Sequence, residues 1–505
     1  MNTLSFPWII IGPLVLSPVV YLAGRLGVQE SSIKRRSSFM RGLALLALIS
    51  AWVPFVLSAR IFLTGEKQEF VVESIWLRVD GISLLLAATA LTLGTMVLLF
   101  SSSYMAGEKG EEKYYAMLLV MISMMIGLGC AGDLFNLWVW FEGMAVSSYL
   151  LVAFYREQPA SLEAGMKYLV QSATGSVLVL MGIAVVLSNT GTLDLAELGN
   201  IGDSEPANRM SLLAAAALLI IGFGVKAALV PLHTWLPDAH SQAPSGISAM
   251  LSGVVIGAGL IAMLRALTAV GHIEDLPILL LGFGAVNTLF GNLLALRQTM
   301  VKRMLAYSSL SHIGYILLGL GIAMYDGGKL AAQGAMFHLF NHMLMKGLAF
   351  LAVGALIYGL YLQNGNNKPL MISDLAGAAQ KYPLVALALS IALLGLGGLP
   401  PLAGFMSKWQ IFAGGFQTQN IWIMALIIFA ALNSVLSLGY YTPVINFMYR
   451  RSSAGIVLTG KPLPWMISLP LVVMTLAVIV LGIAPGLMDW LTVPAGEQLI
   501  VMFRN

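Results

Sequence analysis

The stretch SLLAAAALLIIGFGVKAALVPLHTWLPDAH, residues 211–240, decides the fold. It begins with an apolar run of the length that crosses a bilayer, ~20 residues, yet the run contains Lys226. Pro231 and Pro237 follow, and proline interrupts a helix because it lacks a backbone donor and clashes with the preceding turn. In lipid the freed backbone groups need partners or a wet cavity. The stretch therefore predicts a broken transmembrane helix that carries a buried charge.

The rest of the chain has the same character. Of its 505 residues, 58% are hydrophobic and only 10% are charged, and its mean hydropathy is +0.87. Soluble domains carry about 25% charged residues, so this composition excludes a chain of soluble domains. The net charge of +4 lies in short loops between apolar runs and does not indicate a nucleic-acid surface. The composition predicts one all-α, polytopic membrane domain over residues 1–505, with no cleavable signal before the first span.

Successive apolar runs predict about fourteen transmembrane helices. They are predicted at residues 7–24, 41–63, 80–101, 114–131, 133–154, 166–188, 211–230, 245–270, 276–296, 304–324, 330–360, 383–412, 421–449 and 465–490.

Charges in the loops predict the orientation, because lysine and arginine concentrate on the cytoplasmic side. By parity, one side holds Arg25, Lys34, Arg35, Arg36, Arg41, Arg297, Lys302, Arg303, Arg450, Arg451 and Lys461. The other side holds Asp194, Glu197, Asp203, Glu205, Glu274 and Asp275. The basic side is predicted to be cytoplasmic, in an energy-transducing inner membrane, with both termini extracytoplasmic.

A second interruption matches the first. The twelfth predicted span contains the break Gly397-Gly398-Leu399-Pro400-Pro401. A pair of interrupted spans, one in each half, is typical of transporters built from inverted repeats around a functional centre. The predicted repeats are spans 4–8, residues 114–270, and spans 9–13, residues 276–449. Prolines also kink many membrane helices without any such symmetry.

Three charges fall inside predicted spans: Glu142, Lys226 and Lys408. A charge at a helix centre costs roughly 2.5–3.5 kcal/mol on insertion scales, so such residues indicate function. Desolvation favours the neutral amine of a lysine, and a nearby carboxylate favours the ammonium. Movement of Glu142 toward or away from Lys226 would thus switch the proton affinity of the lysine. The two side chains are therefore expected within pairing distance of each other. The alternative is a structural Glu–Lys pair.

The eleventh span carries His338, His342 and Lys346 at successive i, i+4 steps, which places them on one helix face. Histidine titrates near neutral pH, so this stripe can relay protons. His312 on the tenth span and His240 beside the first break are further candidates, whereas a lone membrane histidine usually serves packing. His240 and His233, which flank the first break, are evenly balanced between function and structure, and His272 is expected in a solvated loop.

Cofactor chemistry has no support in the sequence. There is one cysteine, Cys130, which excludes disulfides and cysteine-based clusters within the chain. No nucleotide-binding fingerprint is present, and His338 with His342 lack the glutamate of a zinc-binding helix motif. No metal or cofactor is predicted.

Several motifs in this order carry a family resemblance. They are Gly132-Asp133-Leu134-Phe135-Asn136 before Glu142, Ser147-Ser148-Tyr149-Leu150-Leu151, Gly224-Val225-Lys226, Pro231-Leu232-His233-Thr234-Trp235-Leu236-Pro237-Asp238-Ala239-His240, Lys302-Arg303-Met304-Leu305-Ala306-Tyr307-Ser308-Ser309, and Gly398-Leu399-Pro400-Pro401-Leu402-Ala403-Gly404-Phe405 before Lys408. From about residue 80 to 408 the chain resembles the antiporter-like subunits of respiratory complex I and of Mrp-type cation/proton antiporters.

The resemblance implies fourteen helices, two inverted five-helix repeats and broken helices 7 and 12. It implies a proton path through Glu142 and Lys226 in one half-channel and Lys408 in the other, joined by a central axis with the stripe of the eleventh span. Its implied partners are further membrane subunits, including other antiporter-like ones, with protons or Na+ as the transported ion. A short C-terminus implies a proximal or middle pump subunit, or the Mrp member of similar length.

Two departures from the family stand out. Ser245 to Leu264, the eighth span, contains no titratable residue where the family usually has lysine or histidine. Ser252 and Gly257 occupy that region, so the connection would run through water, His240, His312 or the eleventh span. Met300 replaces a frequent acidic residue before the tenth span.

Three functions remain open at this point. The first is a proton-translocating subunit of a complex I-like oxidoreductase whose partners perform the electron transfer. The second is a subunit of an Mrp-type Na+/H+ antiporter or a related hydrogenase or carbon-uptake complex. The third is a non-conducting scaffold, favoured by the empty eighth span.

Overall fold

A computed structural model describes most of the chain. The described residues are 6–25, 33–73, 75–198, 206–270, 275–326, 328–364, 369–451 and 456–504. Asp203, Glu205, His272 and Glu274 lie outside them, as do the side chains of Lys34, Arg35 and Arg36.

The described residues are almost entirely helical. The helices are α1 (Trp8–Arg25), α2 (Ile33–Leu63), α3 (Gly81–Tyr104), α4 (Glu111–Cys130), α5 (Leu134–Val152), α6 (Pro159–Thr190), α7 (Leu195–Leu198), α8 (Pro206–Lys226), α9 (Trp235–Gln242), α10 (Ser245–Met250), α11 (Ile256–Leu267), α12 (Leu276–Leu296), α13 (Val301–Asp326), α14 (Lys329–Asn364), α15 (Ala378–Lys381), α16 (Pro383–Gly397), α17 (Ala403–Gln417), α18 (Ile421–Tyr449), α19 (Trp465–Ile483) and α20 (Asp489–Arg504). Short 3-10 turns occupy Thr268–Val270, Ile372–Leu375, Ile456–Thr459 and Pro485–Met488, and a π-helical turn occupies Leu251–Val255.

Length and composition confirm the predicted all-α membrane class. Within the described residues, 12 helices are long and apolar enough to cross a membrane, counting residues 245–270 as one span. The two other predicted spans, 133–154 and 383–412, coincide with the 19-residue α5 and with the pair α16 and α17, which are not among these 12.

A β-hairpin occupies a stretch that the apolar runs left as a loop. Strands β1 (Gln68–Val72) and β2 (Ile75–Val79) pair antiparallel, with Gln68 opposite Val79. The hairpin packs on the helices through Phe70, whose ring meets Phe6 edge-on at 6.4 Å. β-branched and aromatic residues favour strands, but two five-residue strands are too short to stand out beside apolar runs that can cross a bilayer.

The chain after residue 483 also differs from the prediction. The last span was expected to reach residue 490, but α19 ends at Ile483 before Pro485, and α20 follows as a separate helix. The α20 backbone at Pro494 packs against Gly81 of α3, where an added Cβ would lie 2.5 Å away. Glu497 of α20 pairs with Lys329 of α14 at 3.2 Å. The final helix therefore packs against the start of α3 and forms an ion pair with the start of α14.

The first predicted break lies between α8 and α9, and a neighbouring helix satisfies its backbone. Asn287 of α12 accepts a hydrogen bond from the Val230 N–H at 2.9 Å and donates to the Ala228 carbonyl at 3.3 Å. The Trp235 indole donates to the Val225 carbonyl at 2.8 Å. These side chains supply the partners that an interrupted helix needs inside a membrane.

Replacing Asn287 with leucine is expected to destabilise this break. The change leaves two backbone groups without partners, and each buried unsatisfied group costs about 1–3 kcal/mol. A lower thermal unfolding midpoint of the purified complex would report the loss. Thr288→Val is the matched control, because that hydroxyl bonds only to its own helix, at Gly284. Equal midpoints for the two variants would contradict this account.

The second break lies between α16 and α17 and depends on a glycine. Gly398 has φ +79, and an added Cβ would lie 3.2 Å from both the Lys408 side chain and the Ser434 hydroxyl. Asn341 of α14 donates to the Ala403 carbonyl at 3.0 Å. Both interruptions predicted from the prolines are thus present, and side chains of neighbouring helices stabilise them.

Candidate functional site

Titratable side chains form a buried row in the protein interior. Seven of the eight predicted site residues are no more than 3% exposed, and the eighth, Glu142, is partly buried. The seven are Lys226, His240, His312, His338, His342, Lys346 and Lys408. These seven, called the interior row below, face protein and not lipid.

Lys226, the last residue of α8, lies against an aromatic pair. Its ammonium donates to the Tyr168 hydroxyl at 2.6 Å and lies 3.5 Å from the Ser172 hydroxyl. It also sits 4.5 Å from the Tyr168 ring centroid, and that ring stacks on Trp235 at 4.0 Å. A helix C-terminus favours a positive charge. Neutral groups therefore stabilise the ammonium at this position.

Glu142 is expected within direct or water-mediated pairing distance of Lys226. Within the described part of the chain, no ion pair joins the two residues, although Glu142 lies in electrostatic range of Lys226. Phe141 packs edge-on against Phe223 at 4.9 Å, which holds α5 and α8 together beside both groups. One Glu142 carboxylate oxygen is buried without a hydrogen-bond partner. The Tyr168 hydroxyl is the near partner of the lysine instead.

Histidines of two helices meet as the spacing suggested. His312 of α13 and His338 of α14 share a hydrogen bond of 3.0 Å between ring nitrogens. The other His338 nitrogen bonds with the Ser407 hydroxyl at 2.8 Å, and His342 stacks on His312 at 5.3 Å. A neutral imidazole donates through one nitrogen and accepts through the other. This arrangement can pass a proton between α13, α14 and α17.

Lys346 connects the histidines with the region of the eighth span. Its ammonium donates to the Leu305 carbonyl at 2.7 Å and to the Ser308 hydroxyl. The Ser309 hydroxyl donates to the same carbonyl at 3.0 Å and lies 2.7 Å from the hydroxyl of Ser252. Ser252 belongs to the π-helical turn, a distortion that occurs frequently at functional sites. The Ser252 hydroxyl thus links the eighth span, which has no titratable residue from Ser245 to Leu264, to the surroundings of Lys346.

Lys408 of α17 caps the broken end of α16. Its ammonium donates to the Leu396 carbonyl at 2.9 Å and to the Ser434 hydroxyl at 2.8 Å. It also lies 4.4 Å from the ring centroid of Tyr315, which is edge-on to His338 at 6.0 Å. Each interruption therefore has a buried lysine beside it: Lys226 is the last residue of α8, and the Lys408 ammonium caps the carbonyl end of α16.

His240 is the least connected member of the interior row. Its ring stacks on Phe350 at 4.8 Å, and both ring nitrogens are buried without hydrogen-bond partners. It lies in electrostatic range of Lys346 and Lys302. His233, by comparison, is partly exposed and edge-on to Tyr307 at 6.3 Å.

Gly259 decides how closely the eighth span approaches Lys226. A Cβ at this position of α11 would lie 3.0 Å from the Lys226 Cβ and 2.9 Å from the Ala227 nitrogen. The helix therefore packs directly on the lysine backbone. Leu260, Ile261 and Leu264 around that contact are buried and apolar.

Sequence reasoning missed the hydroxyl partners of the row. They are Tyr168, Ser172, Ser308, Ser407 and Ser434. Hydroxyl groups in helices usually bond their own backbone, so position along the chain gave no reason to select them. Among the residues that the structure describes, no cluster of three metal-binding side chains occurs.

Comparison with known proteins gives family matches over both halves. The model described as "NADH:quinone oxidoreductase/Mrp antiporter, TM" matches residues 131–437. The model described as "NADH-Ubiquinone oxidoreductase (complex I), chain 5 N-terminus" matches residues 72–115.

Two relatives and one solved structure extend the match over most of the chain. F(420)H(2) dehydrogenase subunit N of Methanosarcina mazei is 31% identical over 83% of this chain and 84% of its own. NADH-quinone oxidoreductase subunit N of Desulforudis audaxviator is 30% identical over 94% of this chain and 95% of its own. A chain of the membrane-bound sulfane sulfur reductase, an archaeal respiratory membrane complex, superposes with a TM-score of 0.83 and 29% identity, covering 98% of this chain and 97% of that one.

Proposed function

This chain belongs to the NADH:quinone oxidoreductase/Mrp antiporter membrane family, and we propose that it translocates protons as an antiporter-like subunit of a complex I-type oxidoreductase. It is a multi-pass membrane protein of that family, whose solved members belong to multisubunit membrane complexes. Other subunits would transfer the electrons from NADH, or from ferredoxin or reduced F420, to the acceptor. This chain would carry protons through its two halves.

One observation carries the proposal: the buried lysines have no carboxylate partner. In the described residues, ion pairs occur at Arg41–Glu111, Arg265–Asp80 and Arg303–Asp238, but none involves Lys226, Lys346 or Lys408. A permanent buried charge without a counter-ion is costly. Hydroxyl partners, in contrast, can accept from an ammonium and donate to a neutral amine. Such lysines can therefore gain and lose a proton without losing their hydrogen bonds.

The proposed route has two halves and a connection. Lys226, influenced by Glu142, would load a proton in the first half, and Lys408 would release one in the second. Lys346, His342, His312 and His338 would connect them along α13 and α14. The link toward the first half would pass Ser309 and Ser252, or water beside His240, because α11 offers no titratable group there.

Two further features belong to the same proposal. Residues 114–270 and 276–449 would be inverted repeats, supported by a broken helix with a buried lysine beside the break in each. The basic loops would face the cytoplasm and both termini the opposite side, supported by the distribution of loop charges.

The alternatives receive less support. The two relatives described above are named as dehydrogenase and oxidoreductase subunits, which favours this class over Na+/H+ exchange. A scaffold would not need three buried lysines, each costly at a helix centre.

Proton pumping by the intact complex in proteoliposomes tests the proposal. Lys346→Ala is expected to lower the number of protons moved per electron pair while electron transfer continues. Lys329→Ala is the matched control on the same helix, because Lys329 is exposed and pairs only with Glu497 at the surface. An exposed ion pair contributes about 0–1 kcal/mol, so this variant should pump normally.

An unchanged proton ratio in Lys346→Ala, with the complex fully assembled, would overturn conduction through this chain and favour the scaffold. Proton movement that requires Na+ and no electron donor would identify an antiporter instead.

A further inference from the structure

The outer face of α18 carries a groove that the proton route does not use. It is lined by Leu438, Gly439, Thr442, Pro443, Asn446, Phe447 and Arg450. Gly439 leaves the groove open, because a Cβ there would touch only Leu296 of α12, at 3.3 Å. The groove therefore lies along α18, next to the end of α12.

The polar residues of this groove are unusual for a membrane-facing surface. Thr442, Asn446 and Arg450 follow at i, i+4 and i+8, so they form one exposed stripe. Pro443 lacks the N–H that would bond the carbonyl of Gly439, which is exposed in the same groove. Polar groups facing hydrocarbon are costly without partners. A ligand that covers this stripe must therefore offer polar groups at the Arg450 end and apolar surface at the Leu438 end.

Charge distinguishes between the possible ligands. Arg450 and Arg451 follow the end of α18 and are exposed, and neither forms an ion pair with another described residue. The loop that they begin is one of the basic loops assigned to the cytoplasmic side. Anionic lipids of the cytoplasmic leaflet are attracted by lysine and arginine at this depth.

The dimensions fit one phospholipid. Helix rise puts Asn446 about 6 Å and Leu438 about 18 Å along the axis from Arg450. A leaflet contributes about 15 Å of hydrocarbon, half of the ~30 Å core. The stripe thus runs from the headgroup level, past the ester level, to the depth reached by an acyl chain.

We propose that this groove is a binding site for an anionic phospholipid. The phosphate binds Arg450, with Arg451 adding positive potential. Asn446 and Thr442 face the glycerol and ester oxygens. An acyl chain lies over Gly439 and along Leu438 and Phe447.

The opposite face of α18 gives the site a consequence, which rests on the proposed function. Ser434 accepts from Lys408 at 2.8 Å and donates to the Gly397 carbonyl at 3.0 Å. Tyr440 donates to Asn292 of α12 at 2.8 Å, next to the groove. A lipid held between α12 and α18 would therefore stabilise the helix that positions Lys408.

Photo-crosslinking in the assembled complex tests the binding site. Phe447 is replaced with benzoylphenylalanine, and the complex is reconstituted in vesicles of equal parts phosphatidylcholine and phosphatidylglycerol. Irradiation is expected to attach phosphatidylglycerol to α18 at least fivefold more than phosphatidylcholine, as read by mass spectrometry of the peptide. Arg450→Gln should remove that preference, and Gly439→Leu should remove the adduct by filling the groove.

Arg25→Gln is the matched control, because Arg25 is also exposed at a helix end on the predicted basic side, where it donates to the Tyr21 hydroxyl of its own helix. It should leave the preference unchanged. Equal labelling by both lipids would overturn the proposal. An adduct to another protein chain would also overturn it, because the groove would then bind a helix of a neighbouring subunit. These readouts do not depend on pumping, so loss of the lipid site and loss of the proposed function are separable.

Discussion

Replacing Lys408 with alanine is expected to abolish proton transfer through the second half of this chain. The change removes the only amine that caps the end of α16, and neither Leu396 nor Ser434 can hold a proton in its place. Proton uptake by proteoliposomes that contain the assembled complex, measured per electron pair, would show the loss. Lys381→Ala is the control, because Lys381 is an exposed lysine of the short helix α15.

A second substitution separates proton transfer from support of the break. Lys408→Arg can keep hydrogen bonds to the carbonyl and the hydroxyl, but a guanidinium does not give up its proton in proteins. Transfer should therefore remain absent in Lys408→Arg while assembly is normal. Recovery of pumping in this variant would mean that Lys408 acts only by holding α16 and α17 together.

The same assay, applied to the His240→Ala/His312→Ala double variant, identifies the connection between the two halves. Full pumping by the double variant, with none in Lys408→Ala, would exclude both histidines as essential bridges. The hydroxyls of Ser252 and Ser309, or a water chain, would then carry the proton.

Replacing Lys226 with alanine is expected to stop proton transfer through the first half to a similar extent. Lys226 is the only buried amine in α8, and Tyr168 and Ser172 have no basic group to replace it. Tyr168→Phe should have a smaller effect, because it removes one hydrogen bond and keeps the ring below the ammonium. A hydrogen bond to a charged group contributes about 1.5–3 kcal/mol, which corresponds to a rate decrease of roughly 10- to 100-fold.

Lys167→Ala is the matched control for Lys226→Ala. Lys167 is an exposed lysine next to Tyr168 in the chain and pairs with Glu163 and Asp238 at the surface. Stopped-flow proton uptake would compare the variants at constant electron-transfer rate. A Tyr168→Phe variant as inactive as Lys226→Ala would contradict the assignment of the lysine as the proton carrier. Equal proton uptake by all the variants would show that the first half of the chain is not part of the route.

The sequence by itself determined the membrane class and the position of each interruption. Long apolar runs have few other stable environments than lipid, and the segments around Pro231 and Pro400 indicated where two of these helices are interrupted. Lys226, Lys346 and Lys408 were also evident from the sequence, since a charge inside an apolar run is costly in a membrane and therefore indicates function.

The partners of those charges were decided only by the tertiary structure. Lys226 donates to Tyr168, 58 positions away, and Lys408 donates to Ser434 on another helix. The residue types of Gln68–Val72 by themselves favour a strand of the hairpin. Nothing in the sequence around Ser252 or Ser309, in contrast, indicates that their hydroxyls bond to each other. The repeat of about 3.6 residues per turn defines which side chains lie on the same face of one helix. It does not define which face of another helix packs against it, because that choice depends on how all the helices fit together at once.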